Sequence, residues 1–205
     1  MTFSMSILPK IMRTLKENRN YIGVAAGLLL GGMVIGSVVG ASLPSGGTPL
    51  SDSTYFQALE PILQLYQPYT PFTVLFLFAK NSLTGGLCFL MGPLLLLSPL
   101  GIPLLNGFIV GFVGSAVATQ RSLLLAVESL APHGVFELTA LVFSSAAGLH
   151  FGVSAIKKAF GMVDADFSLR SEFLSAARLF LLALALFAIA AVLETYVTPY
   201  IVGLP

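Results

Sequence analysis

A histidine and a glutamate stand four residues apart in the stretch APHGVFEL, residues 131–138. Side chains at this spacing lie on one face of an α-helix and can contact each other, so His133 and Glu137 predict a small polar site. We expect Glu194, near the end of the last apolar segment, to reach a similar depth and to complete a cluster. Such a cluster suits a hydrogen-bonded connection between helices, proton titration or partner binding by the histidine, or a divalent cation if a third ligand converges.

Three further polar residues, Lys80, Asn81 and Asn106, lie within apolar segments. An ionisable side chain at the centre of a bilayer costs about 2.5–3.5 kcal/mol on insertion scales. We expect Lys80 either to extend toward the membrane surface or to pair with a carboxylate. The two asparagines are expected to hydrogen-bond between helices, each contributing about 0.6–2 kcal/mol. His150 follows His133 by seventeen residues, about 25 Å along a helix, and is predicted to lie outside the cluster.

The histidine belongs to a local motif made of Pro132, His133, Gly134 and Glu137. Proline is well placed in the first turn of a helix, where its missing N–H is no loss, so we predict that the fourth membrane helix begins near this motif. The residues that continue the same helix face are mostly small or polar, which is typical of a helix that faces other helices rather than lipid. They are Ala140, Ser144, Ala147, Gly148 and Phe151.

The composition predicts a membrane protein. Of 205 residues, 56% are hydrophobic and only 9% are charged, whereas a soluble domain carries about 25% charged residues. Five apolar segments are long enough to cross a hydrocarbon core of about 30 Å, namely 21–41, 71–98, 102–119, 133–155 and 173–198. The second is so long that we expect it to tilt or to bend near Gly85, Gly86 or Pro93, or, as an alternative with six spans, to divide near Lys80 and Asn81. The predicted fold is an all-α polytopic bundle of about five transmembrane helices with short interfacial helices.

Residues 1–20 predict a cytoplasmic amphipathic helix, and residues 21–200 a single transmembrane bundle domain. The outer loop, residues 42–70, is expected to contain a second interfacial helix. Basic residues in short loops mark the cytoplasmic side of a membrane protein. With five spans, eight basic residues fall on one side of the membrane and one on the other. Arg121 is alone on one side, so we predict a cytoplasmic N-terminus and an extracytoplasmic C-terminus. The eight on the other side are Lys10, Arg13, Lys16, Arg19, Lys157, Lys158, Arg170 and Arg178.

Glycines recur every four residues in the first and third apolar segments. This spacing forms a stripe along a helix that lets a second helix approach closely. Packing inside the chain and a seam between copies in a homo-oligomer are the two interpretations. The glycines concerned are Gly23, Gly27 and Gly31, then Gly32, Gly36 and Gly40, and also Gly107 and Gly111.

Several classes of function are disfavoured by the sequence. The net charge of +1 predicts no nucleic-acid binding, which needs a concentrated basic face. The single cysteine, Cys88, can form no internal disulfide and is expected to be buried. Asp164 and Asp166 favour a solvated turn leading to a Ser168 helix cap over a calcium site. The sequence contains no phosphate-binding loop, dinucleotide motif, paired-cysteine zinc pattern or nucleophile elbow, so we predict no catalytic residue, cofactor or metal.

Four stretches together resemble the stage II sporulation protein M family: FAKNSL at 78–83, NGFIVG at 106–111, PHGVFEL at 132–138 and AAGLHFG at 146–152. The resemblance covers roughly residues 15–200. It implies a multi-pass membrane protein whose family namesake helps to assemble a peptidoglycan-degrading complex with two extracytoplasmic partners in endospore-forming bacteria. By that resemblance this chain is a membrane platform, and hydrolytic chemistry belongs to its partners.

Three functions follow as hypotheses. The first is a non-enzymatic scaffold in the cell membrane, surrounded by the lipid bilayer and bound to other membrane or extracytoplasmic proteins. The second is a transporter or channel for ions or small solutes that uses Lys80, Asn81, Asn106 and Glu137. The third is an intramembrane metal-dependent hydrolase built on His133, Glu137 and Glu194, which a distance above about 8 Å between His133 and Glu194 would exclude.

Overall fold

The computed structural model describes residues 7–42, 66–94, 96–120 and 122–203, and these residues form helices and turns without a strand. The all-α fold is therefore confirmed. A π-helical turn, Leu193–Val197, joins the last two helices. The α-helices are α1 (Ile7–Glu17), α2 (Arg19–Ala41), α3 (Pro71–Leu90), α4 (Leu97–Gln120), α5 (Leu123–Ala159), α6 (Leu169–Val192) and α7 (Thr198–Ile201).

Five segments in the described part of the chain are long and apolar enough to cross a membrane, as predicted. They are Arg19–Ala41, Pro71–Leu90, Leu97–Gln120, Leu130–Ala159 and Leu169–Ile201. The second span is shorter than predicted, because α3 ends at Leu90 and a turn follows. Leu96 takes a left-handed φ of 61° in that turn, which lets the chain reverse before α4. Since α3 is continuous through Lys80 and Asn81, the alternative with six spans is wrong.

The helix that carries the fourth span begins ten residues before the predicted start at His133. Ser122 caps α5, and its hydroxyl oxygen accepts a hydrogen bond of 3.1 Å from the backbone N–H of Leu125. Pro132 therefore lies inside the helix rather than in its first turn. An interior proline removes one backbone hydrogen bond, but membrane helices tolerate this where neighbouring helices and waters satisfy the freed carbonyl. The prediction was wrong because an earlier cap extends the helix past the proline.

A glycine seam holds α2 and α4 side by side, running in the same direction. A Cβ added to Gly36 would overlap the backbone of Phe108, and one added to Gly111 would overlap the backbone of Met33. Both backbones thus approach so closely that only glycine fits. The hydroxyl of Ser37 donates a hydrogen bond of 3.3 Å across the seam to the carbonyl oxygen of Gly111. The seam glycines are Gly32, Gly36 and Gly40 on α2 and Gly107 and Gly111 on α4.

The first glycine series of α2 faces away from this seam. A Cβ added at Gly23, Gly27 or Gly31 would meet nothing within 4 Å among the described residues. The two series therefore lie in different surroundings, and only the second is used for packing inside the part of the chain that the structure describes.

A second seam, which the sequence did not predict, joins α3 to α5. A Cβ on Gly148 would overlap the carbonyl group of Cys88, and one on Gly92, in the turn after α3, would overlap that of Gly148. Gly85 lies against Ser144 and Phe187 within a continuous helix, so it serves packing, and of the three positions where a bend was expected only Pro93 lies in a turn. The close approach of α3 and α5 also buries Cys88 completely, as predicted.

Outside the membrane spans, the predictions concern the N-terminal helix, the turn before α6 and the outer loop. The amphipathic helix predicted near the N-terminus is present as α1, where Arg13 Nε lies 2.7 Å from Glu17 Oε1 on the exposed surface. Asp164 and Asp166 lie in an exposed turn before α6, and Ser168 caps that helix as predicted. The expected interfacial helix of the outer loop falls mostly on residues 43–65, outside the described residues.

Candidate functional site

A π-helical turn positions Glu194. The ring of Pro199 has no N–H, so the carbonyl oxygen of Thr195 loses its α-helical partner, and the turn widens locally. The backbone N–H of Tyr69 donates to that carbonyl oxygen at 3.1 Å, and the hydroxyl of Tyr66 donates to the carbonyl oxygen of Glu194 at 2.8 Å. The chain before α3 therefore fixes the turn that carries Glu194.

The three predicted residues of the cluster converge. A ring nitrogen of His133 and one carboxylate oxygen each from Glu137 and Glu194 all lie within 4.8 Å of one another. The hydroxyl of Thr198 lies 3.0 Å from Nδ1 of His133 and holds the imidazole ring to α7. The cluster thus joins α5 to the end of α6. His133 and Glu194 lie closer than the distance of about 8 Å that would exclude a metal-dependent hydrolase.

The other predicted polar residues surround Glu137 without binding it tightly. Lys80 is exposed at the edge of α3 and is close enough to act electrostatically on all three members of the cluster, but it forms no ion pair within 4.0 Å to a described residue. Asn81 is only 3% exposed, and its amide nitrogen lies near the carboxylate of Glu137, on the neighbouring helix, without reaching hydrogen-bond geometry. The amide nitrogen of Asn106 donates to the carbonyl oxygen of Ile102 at 2.9 Å, within its own helix rather than across helices.

Two cavities meet at this cluster. A small one of about 40 Å³ is lined by Lys80, Asn81, Asn106 and Glu137, which is room and polarity enough for a water molecule. A larger open groove of about 640 Å³ lies between α2, α4 and α5. Its walls are mostly apolar, but His133, Glu137 and Asn106 reach it. The groove gives the cluster access from outside the bundle.

A second polar constellation, which the sequence analysis missed, lies at the opposite end of α5. The amide nitrogen of Asn18 donates to the carbonyl oxygen of Thr14 at 2.9 Å, so its Oδ1 faces Nδ1 of His150 at 2.7 Å and accepts a hydrogen bond. Nε2 of His150 lies 2.7 Å from a carboxylate oxygen of Glu172. Nδ1 therefore donates to Asn18, and Nε2 contacts the carboxylate of Glu172. The ring also stacks on Tyr21, with ring centroids 5.1 Å apart.

This constellation ties the start of α2 and the start of α6 to the end of α5. Counting residues along the spans could have found it, because Asn18, His150 and Glu172 all fall near the same membrane surface. The same count separates His150 from His133 by about 25 Å.

Comparisons with known proteins agree with this architecture. An uncharacterized protein of Methanocaldococcus jannaschii is 31% identical over 134 residues, which are 62% of this chain and 66% of the relative. The match thus spans just under two thirds of the relative's length. No solved structure matches the chain significantly. Residues 25–199, most of the chain, match the family of stage II sporulation protein M, which confirms the resemblance that the motifs indicated. This multi-pass membrane protein belongs to the stage II sporulation protein M family.

Proposed function

We propose that the chain is a scaffold of the cell membrane that assembles partner proteins by binding their transmembrane helices. The observation that carries this proposal is the unused glycine stripe of α2. Gly23, Gly27 and Gly31 follow the pattern that lets two helices pack closely in lipid, and no described residue occupies that surface.

A helix face that contacts only lipid does not require glycine. Exposed membrane-facing positions elsewhere in the bundle carry large apolar side chains, such as Leu30, Val34, Leu75 and Leu181. Glycine lowers helix propensity by about 1 kcal/mol relative to alanine, so a run of three is favoured only where the missing side chains admit another backbone. A partner helix meets that condition.

The proposed orientation places the N-terminus in the cytoplasm. Contact among Asn18, His150 and Glu172 brings the basic residues of α1 and of the α5–α6 connection to the same end of the bundle. Positively charged residues near span ends favour the cytoplasmic side. In this orientation the cluster of His133, Glu137 and Glu194 lies toward the outer surface, where extracytoplasmic partners are found.

Site-specific photo-crosslinking in the native membrane tests the scaffold. A crosslinking amino acid at position 27 should yield a discrete protein adduct, and the same residue at position 181, which is equally placed to meet lipid, should not. Gly27→Leu should abolish association with the captured protein without unfolding the chain, since its added side chain meets no described neighbour. Equal protein capture from both positions, or none from position 27, contradicts the proposal. An adduct of twice the chain's own mass identifies a homo-oligomer instead.

The meeting of the two cavities favours transport as a second candidate. The open groove and the small cavity share Asn106, Glu137 and Leu138, so polar groups continue from the groove into the bundle. Flux of ions or small solutes into proteoliposomes that is lost in Glu137→Gln supports transport. Flux that is equal in both proteins, or absent from both, counts against it.

A further inference from the structure

We propose that His133, Glu137 and Glu194 bind a divalent transition-metal ion of the zinc type at the inner wall of the open groove. The proposal does not depend on the scaffold, because metal binding is a property of the isolated chain. The two can therefore fail separately.

The three side chains already have nearly the spacing of a metal site. Zinc binds nitrogen and carboxylate oxygen at about 2.0–2.2 Å, so the ligand atoms around a tetrahedral ion lie about 3.3–3.6 Å apart. The candidate atoms of His133, Glu137 and Glu194 lie within 4.8 Å of one another. Movements of about 1 Å by flexible side chains close the site.

Charge balance favours a cation at this position. Two carboxylates lie at membrane depth, about 10 Å inside the ends of their spans, where an unpaired charge is costly. Lys80 supplies one positive charge to the neighbourhood, but its ammonium group stays more than 4.0 Å from both carboxylates. A divalent ion neutralises both acids directly and leaves Lys80 free to extend toward the membrane surface.

A buried amide beside the site points to a missing ligand. Asn81 is 3% exposed and lines the small cavity, and its amide nitrogen faces the carboxylate of Glu137 without reaching hydrogen-bond geometry. A buried donor without a partner costs about 1–3 kcal/mol. A water molecule bound to the ion and placed in this cavity satisfies the amide, as ordered waters do for buried polar groups.

The surroundings also orient the ligands. Thr198 contacts Nδ1 of His133, and such contacts on the second nitrogen hold a metal-binding imidazole in position. Glu194 lies in the π-helical turn, a distortion that is frequent at functional sites.

The ligand types select the class of ion. One imidazole and two carboxylates suit zinc, manganese or cobalt, whereas calcium takes six to eight oxygen ligands. Soft ions prefer thiolates, and the single cysteine, Cys88, is fully buried in the other seam. Three protein ligands leave a coordination position for water or a partner group. His133 and Glu137 also line the open groove, so that position is accessible.

His150 and Glu172 provide a matched control in the same chain. They are also a histidine and a glutamate in contact, but both ring nitrogens of His150 are already hydrogen-bonded, and the structure brings no third histidine, cysteine or acidic ligand to them within the described residues.

The test is titration of the purified full-length chain in mild detergent with Zn²⁺ and Co²⁺, after removal of bound metal by a chelator. We expect about one equivalent to bind, with a Co²⁺ absorption spectrum typical of four or five nitrogen and oxygen ligands. His133→Ala, Glu137→Gln and Glu194→Gln should each weaken binding at least about 10-fold, and Thr198→Val about 10-fold. Glu172→Gln should change the affinity less than about 2-fold.

Gel filtration and circular dichroism establish that each variant is folded. Where a variant does not fold, the Co²⁺ spectrum of the unaltered chain decides alone. No stoichiometric binding, a spectrum of fully hydrated Co²⁺, or equal loss of affinity in Glu172→Gln overturns the proposal. Failure of the photo-crosslinking experiment has no bearing on these results.

Discussion

Replacing Gly36 by alanine tests the seam between α2 and α4. The added Cβ would lie within 2.9 Å of three backbone atoms of Phe108, where real Cβ atoms essentially never approach. Backbone atoms of a helix cannot move aside independently, so the two helices must separate. Gly27→Ala is the matched control, because it adds the same methyl group to the same helix where no described atom lies within 4 Å.

Gly36→Ala should lower the free energy of unfolding, whereas Gly27→Ala should leave it unchanged or raise it slightly. Overpacking a well-packed core costs about 1–3 kcal/mol, and the contact with a rigid backbone places Gly36→Ala in the upper half of that range. The gain in helix propensity from glycine to alanine offsets about 1 kcal/mol in both variants. The net loss for Gly36→Ala is then about 1–2 kcal/mol, whereas Gly27→Ala is neutral or slightly stabilising.

The difference in stability between the two variants is measured by thermal unfolding in mild detergent. Unfolding is detected as the loss of the monodisperse species. At about 2–4 °C per kcal/mol for a chain of this size, Gly36→Ala should melt about 2–8 °C below the unaltered protein. Gly111→Ala, whose Cβ would meet the backbone of Met33, should behave like Gly36→Ala. The account of the seam fails if Gly36→Ala melts at or above the temperature of Gly27→Ala.

Three further outcomes follow from the described contacts. Asn18→Ala leaves Nδ1 of His150 buried without its partner and should lower the free energy of unfolding by about 1–3 kcal/mol, so an unchanged melting temperature contradicts the hydrogen-bonded arrangement. Burial raises the pKa of Tyr66 to about 12, so its neutral hydroxyl stabilises the fold fully below about pH 10, the ordinary tyrosine pKa, and this contribution is lost as the pH rises toward 12. Tyr66→Phe should therefore show a smaller fall in melting temperature between those pH values than the unaltered chain, and equal falls would refute the assignment. Cys88 should react with a maleimide only after denaturation, and rapid labelling of the folded chain would show that the seam of α3 and α5 opens.

Hydropathy and glycine spacing predict much of this fold because a bilayer imposes simple constraints. A span must be apolar over about 20 residues, and helices that approach closely in lipid need small residues at the contact. The α2–α4 seam follows from these constraints, since Gly107 and Gly111 repeat the spacing found on α2. Gly148 and Gly152 repeat the same spacing on α5, but they pack against Cys88 and Gly92, which form no glycine repeat, so the spacing alone does not predict the α3–α5 seam.

Local backbone geometry was harder to predict. Pro132 is compatible both with a helix start and with a helix interior, and only the cap at Ser122 decides between them. The π-helical turn depends on Pro199 together with donors that arrive from Tyr66 and Tyr69, far away in the sequence. The spacing of residues in the sequence does not show that such distant segments are in contact. The sequence therefore predicts the position of Glu194 from its membrane depth alone and not from the π-helical turn that holds it.

The polar residues concentrate on α5 because the other spans shield it. Two thirds of its membrane window, 67%, is buried inside the bundle, compared with 22–33% for the other four spans. A histidine or glutamate on a peripheral helix would face acyl chains, whereas one on α5 faces protein groups that can hydrogen-bond to it. This explains why both histidines of the chain lie on α5, one at each end, and each beside a carboxylate from α6 or from the turn that follows it. Contacts of both histidines therefore hold α5 to α6 and to the turn that follows it, and the open groove lies beside α2, α4 and α5.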